Sequence, residues 1–303
     1  MKLWEHYHAP KTISEAEELL KMYEGEARVL GGGTDLLLDI KQGNHPPVKA
    51  LVDITKVEGL NTITVMDGCA VIGAGVTHTQ VTKSQVLADQ ATCLVEGCGA
   101  VGGPQVRNVG TLGGNVAHAL PAGDGTTSLV ALDTEVEILQ NGMQKRVDIL
   151  DMYKGPGESL LDSTKDILLK FIVPLSQPGE ASAFKRVMRP QGVALPILGC
   201  ASWLKLNPEQ EIESARVCIG PLSPRPMRVT IVEELLKGKR VDGVMLAKTV
   251  ELARKKLKPR TSKYRATAGY RLEIIEVLLR GTLQMAYHRA LTGDVVPQGI
   301  GLQ

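Results

Sequence analysis

The chain has 303 residues, is 43% hydrophobic and has a mean hydropathy close to zero, which predicts a soluble globular protein with more than one packed unit. Its 35 basic and 33 acidic side chains leave a net charge of +2, a balance that does not indicate a nucleic-acid-binding protein. Five scattered cysteines and an N-terminus without an apolar signal core favour a reducing, cytoplasmic location with no membrane insertion.

The first 175 residues predict short strands and helices separated by glycine-rich turns. A helix is expected over 12–23, with Ser14 and Glu17 as its capping box. A strand over 27–30 leads into a glycine run, after which Thr34 is expected to cap a second helix. The other elements are strands at 51–54, 62–65, 70–75, 135–139, 145–147 and 167–173, a helical stretch at 79–96, and a loop-like region at 97–124.

A polar segment with Pro and Gly, residues 175–180, is the best candidate for a domain boundary. Strands are expected beyond it at 183–188, 196–206 and 213–219, followed by helices at 228–236, 244–257 and 265–289. Since strands and helices come in blocks rather than in strict alternation, the predicted fold class is α+β.

Two glycine loops carry the clearest chemical signal. They are the segment from Leu30 to Leu36 (LGGGTDL) and the segment from Thr111 to Asn115 (TLGGN). Glycine lets backbone N–H groups turn outward and lets a ligand approach closely, so each loop is a candidate anion site. Two such sites suit a diphosphate, which carries two charged centres.

Other interpretations of these glycines are open. A Gly-Gly pair often marks nothing more than a tight turn. Neither loop continues with Gly-Lys-Ser/Thr, which excludes a P-loop. Gly97, Gly99 and Gly102 fit the G-x-G-x-x-G spacing of a dinucleotide-binding fold, but the preceding segment is predicted to be a helix where that fold has a strand.

The pair of loops resembles the two FAD-diphosphate motifs of the medium, flavin-binding subunits of molybdenum hydroxylases, such as carbon monoxide dehydrogenase and the FAD component of xanthine dehydrogenase. The first motif of that family, A-G-G-[HT]-[SD]-L, corresponds to Gly31 through Leu36. The second, T-[IL]-G-G-[NS]-[LIV]-A followed by P-A-x-D, corresponds to Thr111 through Ala117 and then Pro121 through Asp124. The opening YHAP and the segment VIGAGVTH also resemble the family, and the likeness spans essentially the whole chain.

The resemblance implies a two-subdomain FAD-binding domain of the PCMH type, which is related to vanillyl-alcohol oxidase. It would occupy residues 1–175, with subdomains at about 1–57 and 58–175. A small C-terminal α+β domain would follow at 180–290.

The resemblance also implies a set of cofactor-binding residues. In the first loop, backbone N–H groups would bind the diphosphate, and the second loop would hold its other side. Asp124 would accept a hydrogen bond from a ribityl or ribose hydroxyl. The full set is Leu30, Gly31, Gly32, Gly33, Thr34, Asp35, Leu36, Val101, Gly102, Thr111, Gly113, Gly114, Asn115, Asp124, Ile167, Leu168 and Lys185.

Several of these residues also have a purely structural interpretation. Asp124 could cap a loop, and Ile167 and Leu168, whose backbone would meet the adenine, could be plain strand core. Lys185 could offset charge near the flavin or be a solvated strand lysine. Where some relatives have a tyrosine against the flavin ring, this chain has Val193.

Thr34 stands where some relatives have a histidine in the first motif, so the FAD is expected to be non-covalent. Cys93 and Cys98 lack the further cysteine that a plant-type iron–sulfur pattern requires, since position 101 is Val101. Molybdopterin and [2Fe–2S] clusters are therefore expected on partner chains, and no metal ligand or catalytic side chain is assigned here.

The resemblance implies an electron-transfer subunit of a heteromeric hydroxylase, taking electrons from [2Fe–2S] clusters and passing them to NAD or another acceptor. Its expected partners are a small iron–sulfur subunit and a large molybdopterin subunit, arranged as a dimer of heterotrimers. Two alternatives stay open: a free-standing flavin oxidase or reductase of the vanillyl-alcohol oxidase group, and a non-enzymatic dinucleotide-binding protein.

Overall fold

The computed structural model describes residues 3–189, 195–262 and 265–302, without the side chain of Ile300. The strands are β1 (Trp4–His8), β2 (Ala27–Leu30), β3 (Val48–Asp53), β4 (Ile63–Met66), β5 (Cys69–Gly73), β6 (Glu135–Gln140), β7 (Met143–Asp148), β8 (Tyr153–Gly155), β9 (Glu158–Ser159), β10 (Ile167–Pro174), β11 (Glu180–Met188), β12 (Pro196–Leu206), β13 (Ile212–Gly220) and β14 (Met227–Arg228).

The α-helices complete a mixed α and β structure, as the sequence predicts. They are α1 (Ile13–Met22), α2 (Leu36–Gln42), α3 (His78–Thr82), α4 (Gln85–Gln90), α5 (Thr92–Gly99), α6 (Pro104–Val109), α7 (Leu112–Ala117), α8 (Asp124–Ala131), α9 (Thr230–Leu236), α10 (Gly243–Lys256) and α11 (Ala268–Thr292).

The chain forms two compact units, and each unit is built from three separate segments of the sequence. The first unit comprises residues 1–80, 104–119 and 134–173, and the second comprises 81–103, 120–133 and 174–303. The second unit therefore takes two segments from the N-terminal part of the chain. The domain bounds expected from the sequence, 1–175 and 180–290, stay a prediction.

Among the described residues, the first unit contains three sheets, the smallest of which is the pair β8-β9. Strands β1, β3 and β2 form a parallel sheet, and α1 and α2 are the helical connections that parallel strands need. A five-stranded sheet has the order β4-β5-β10-β6-β7. Its hairpins turn at the predicted Asp67-Gly68 and Asn141-Gly142 pairs, and all four residues have positive φ, which two-residue hairpins favour.

One helix cap differs from the sequence expectation. Thr12, not Ser14, caps α1: its hydroxyl accepts from the N–H of Glu15, and the Glu15 carboxylate accepts from the N–H of Lys11. The helix therefore begins with the pair Thr12 and Glu15, and the expected Ser14–Glu17 box is wrong. Both pairs have the same spacing, so the sequence pattern alone could not separate them.

Two further expectations are corrected. The helical stretch expected over 79–96 is broken into α3, α4 and α5, and the loop-like region 97–124 contains the short helices α6 and α7. Asp35, not Thr34, precedes α2, and neither side chain makes a capping hydrogen bond. The breaks between α3, α4 and α5 fall at Ser84 and Ala91, whose backbone angles (ψ of 112° and φ of −141°) lie outside the helical region.

The second unit is built on the antiparallel sheet β11-β12-β13-β14. The long helix α11 packs on β11 and β12, and α5 packs on β11. Every residue of α5 and α8 is buried, and a Cβ on Gly97 would lie 2.6 Å from the Ser128 hydroxyl. Glycine thus permits the close approach of these two helices.

Candidate functional site

The first glycine loop joins β2 to α2 and leaves adjacent backbone donors unused. Gly33 has φ of +70°, and its carbonyl accepts from the N–H of Leu37. Within the described ranges, the N–H groups of Gly32, Gly33, Thr34 and Asp35 donate to no protein acceptor. Four consecutive unpaired donors on a partly exposed loop can bind an anion.

The two glycine loops pack directly on each other. A Cβ on Gly31 would lie 2.6 Å from the Thr111 hydroxyl oxygen. A Cβ on Gly32 would lie 1.9 Å from the carbonyl oxygen of Val109 and 2.8 Å from Cα of Gly110. Glycine is therefore needed at both positions for contact between the loops, independently of any ligand.

In the second loop, most backbone donors already bond to carbonyls of the protein. The N–H groups of Leu112 and Gly113 donate to the carbonyls of Val76 and Ala74, and that of Asn115 donates to Thr111. The Thr111 hydroxyl accepts from the N–H of Gly114 at 3.0 Å and so caps α7. This loop therefore supports the first one and is not a second row of free amides, a distinction that the shared glycine pattern does not reveal.

His78 lies behind the second loop and is almost fully buried. Its backbone N–H donates to the Gly110 carbonyl, and its Nδ1 atom is buried without a partner in the part of the chain that the structure describes. Burial lowers the pKa of His78 to about 4, and the charge of Arg107 lowers it further. The imidazole is thus neutral where it packs near Gly110.

Because the pKa of His78 is lower in the folded state than its ordinary value of 6.5, the unfolded chain binds more protons between about pH 4 and 6.5. The titration of His78 therefore does not reduce the free energy of unfolding above pH 6.5, and it reduces it progressively as the pH falls from 6.5 toward 4. The variant His78→Gln should lose less stability over that range than the wild type. Urea unfolding at pH 4.5 and pH 7 tests this, and equal pH dependence in both proteins would contradict it.

Asp124 begins α8 in the second unit and is 5% exposed. One of its carboxylate oxygens, Oδ2, pairs with the Arg186 guanidinium, whereas Oδ1 receives no hydrogen bond within the described residues. Burial raises the pKa of Asp124 to about 6, although Arg186 and Arg265 act to lower it. The free Oδ1 can accept a hydrogen bond from a ligand hydroxyl.

Arg186 is the residue of this site that sequence reasoning missed. Adjacent strand residues point to opposite faces, so Lys185 and Arg186 of β11 lie on different sides of the sheet. Arg186 reaches Asp124, whereas the Lys185 stem lies over α11, 3.0 Å from where a Cβ on Gly281 would be. Arg186 could have been found from the rule that a buried carboxylate, such as the one expected at Asp124, needs a cation beside it.

The remaining expected site residues are distributed as follows. Val101 and Gly102 form the half-buried turn after α5, with φ of +47° at Gly102. The side chains of Ile167 and Leu168 are buried in β10. Val193 lies outside the described residues.

The chain matches two family models. Residues 3–176 match the FAD binding domain in molybdopterin dehydrogenase, and residues 182–286 match the CO dehydrogenase flavoprotein C-terminal domain. Because the first match alone covers more than half of the chain, the chain belongs to the family of FAD-binding subunits of molybdopterin dehydrogenases.

Similar proteins with known names are FAD-binding subunits of dehydrogenases of this family. The chain is 28% identical to the xanthine dehydrogenase FAD-binding subunit of Escherichia coli O157:H7, over 92% of this chain and 95% of that protein. It is 29% identical to the nicotinate dehydrogenase FAD-subunit of Eubacterium barkeri, over 77% and 79%. Among solved structures, reconstituted CO dehydrogenase from Oligotropha carboxidovorans matches with a TM-score of 0.86 and 27% identity, over 94% and 98%.

The residues present fit the cofactor of this family. The four unpaired N–H groups of the first loop suit the FAD diphosphate, which is an anion that accepts several hydrogen bonds. The protein is thus an FAD-binding medium subunit of an oxidoreductase of the molybdenum hydroxylase family. No helix in the described part of the chain is long and apolar enough to cross a membrane.

Proposed function

We propose that this chain is the electron-transfer subunit of a heteromeric molybdenum hydroxylase. It would take electrons from [2Fe–2S] clusters of a partner and deliver them to NAD or another acceptor. Relatives named as FAD subunits or medium chains of nicotinate, xanthine and carbon monoxide dehydrogenases support this role. The observation that carries it is the row of free amides in the first loop.

Bound FAD would supply the redox chemistry, and the chain's own residues would bind and orient it. The first loop, Gly31 to Asp35, would hold the diphosphate through backbone N–H groups, with Leu30 and Leu36 fixing its ends in the core. Thr111, Gly113, Gly114 and Asn115 would keep that loop in place by contact. Val101, Gly102, Ile167, Leu168 and Lys185 are proposed as further contact positions.

Asp124 would hold a hydroxyl of the cofactor. Its Oδ1 is available as an acceptor, and Arg186 keeps the other carboxylate oxygen fixed. The attachment would be non-covalent because Thr34 offers no imidazole to the flavin. None of these roles requires proton transfer by a side chain, which suits a subunit that relays electrons rather than one that converts an organic substrate.

The assembly is proposed as a dimer of heterotrimers in the cytoplasm. Each trimer would contain this chain, a small iron–sulfur subunit and a large molybdopterin subunit. The division into an FAD-binding domain at 1–175 and a C-terminal domain at 180–290 belongs to the same proposal.

A tagged copy of the chain expressed in its native cells tests the role. Purification should recover two further subunits, with iron, acid-labile sulfide and molybdenum in a constant ratio to FAD. Addition of the organic substrate should bleach the flavin absorbance near 450 nm only when the partners are present. A chain that purifies alone and oxidises a small donor without partners would contradict the proposal and favour a free-standing flavoenzyme.

A further inference from the structure

A dense run of positive charge lies at the C-terminal end of α10. The segment from Arg254 to Arg260 (RKKLKPR) has five basic side chains and no acidic one, although the whole chain is nearly neutral at +2. Arg254 pairs with Glu273 and Glu276. The other four, which are exposed and form no ion pair within the described residues, are Lys255, Lys256, Lys258 and Arg260. These four residues constitute the α10 basic cluster.

Buried neighbours hold this cluster in place. Leu257 and Pro259 are buried and alternate along the chain with the exposed Lys256, Lys258 and Arg260. Leu257 belongs to the hydrophobic core of the second unit. The charges are therefore presented outward by an anchored segment, so they keep a fixed spacing that a partner can match.

The helix dipole explains only part of this charge. Basic side chains are favoured in the last turn of a helix, which accounts for Lys255 and Lys256. Lys258 and Arg260 lie beyond the end of the helix, where the effect of the dipole fades. Like charges gathered without acidic neighbours repel one another, and carboxylates brought by a partner would offset that repulsion.

The residues around the cluster favour a protein as that partner. Residues 237–260 contain no aromatic side chain on which a nucleic-acid base could stack. The apolar residues of 253–260, which are Ala253, Leu257 and Pro259, are all buried, so none is available to insert into a bilayer. Charged side chains at the rim of a protein interface steer association and make it depend on salt.

We propose that the α10 basic cluster is a docking surface for an acidic face of another subunit of the same complex. Its basic side chains would lie at the rim of that interface and pair with Asp and Glu carboxylates of the partner. That the partner is a subunit of a complex rests on the proposed function, whereas the surface itself is defined by the four basic residues.

Zero-length crosslinking of the purified complex with a carbodiimide tests this surface. The reagent joins a lysine amine to a carboxylate only where the two groups are in contact. Peptides that contain Lys255, Lys256 or Lys258 should be joined to Asp or Glu of a partner subunit, and high salt should suppress these links. The matched controls, which are also exposed and unpaired in the part of the chain that the structure describes, are Lys56, Lys83 and Lys154. They should form far fewer links.

Charge reversal provides the second test. The triple variant K255E/K256E/K258E should lower recovery of the partner subunits about tenfold or more at low ionic strength. The control variant K56E/K83E/K154E changes the net charge by the same amount and should recover them like the wild type.

The possible failures are distinguishable. An intact complex without crosslinks from the cluster, or equal partner recovery in the two triple variants, would overturn the docking surface and leave the proposed function standing. A chain that purifies without other subunits would contradict the proposed function, and this partner with it. Binding to RNA, or to vesicles of equal parts phosphatidylcholine and phosphatidylserine, that is lost in K255E/K256E/K258E while the complex still forms would also overturn the proposal.

Discussion

Replacing Gly32 with alanine is expected to lower FAD affinity by about a hundredfold. The new Cβ would lie 1.9 Å from the Val109 carbonyl oxygen, so the two loops must separate. The N–H groups of Gly32, Gly33, Thr34 and Asp35 would then no longer converge on one anion. Losing one or two charge-assisted hydrogen bonds, each worth about 1.5–3 kcal/mol, accounts for a loss of this size. Fluorescence titration of flavin-free protein measures the effect.

Gly269→Ala is the control for this substitution. Gly269 lies in the first turn of α11, has no positive φ, and a Cβ there would meet nothing within 4 Å. Alanine should therefore leave FAD affinity unchanged and should not destabilise the helix. Wild-type affinity in Gly32→Ala would show that contact between the loops does not hold the donors in place.

Arg289→Met should destabilise the chain by about 3–5 kcal/mol, the range for breaking a buried ion pair. Glu96 in α5 accepts hydrogen bonds from Arg289 and from the backbone N–H groups of Phe184 and Gln298. Arg289 also donates to the carbonyl of Ser182, and both charged side chains are at most 2% exposed. Removing the cation would leave a buried carboxylate without its counter-charge. Urea unfolding at pH 7 measures the loss.

A surface ion pair on the same helix provides the comparison. Arg280 and Glu276 are each about one-third exposed, and Arg280→Met should cost less than about 1 kcal/mol. Equal losses in the two variants would mean that the Glu96–Arg289 pair contributes no more than a solvated one.

The parts of the fold that could be predicted from the sequence are those that depend on residues close together in the chain. The Asp67-Gly68 and Asn141-Gly142 hairpins were predictable because these residues tolerate positive φ in a two-residue turn. The first glycine loop was predictable because a strand runs straight into it. The Thr12 cap was missed because Ser14 and Glu17 offer the same spacing in the same segment.

The site was less predictable because its contacts span long separations along the chain. Arg186 is 62 residues from Asp124, and no local pattern pairs them. The second loop is also rich in glycine, yet its amides are bound to Val76, Ala74 and Thr111. Only the fold distinguishes free donors from occupied ones.

The first loop is expected to provide the chain with a non-covalent FAD site. Titrating the flavin-free full chain with FAD, followed by acid precipitation, tests it most directly. The chain should saturate at one FAD, acid should release all of the flavin into the supernatant, and Gly32→Ala should lose affinity. A chain that is folded by circular dichroism but does not bind FAD, or flavin that stays in the acid pellet, would contradict it.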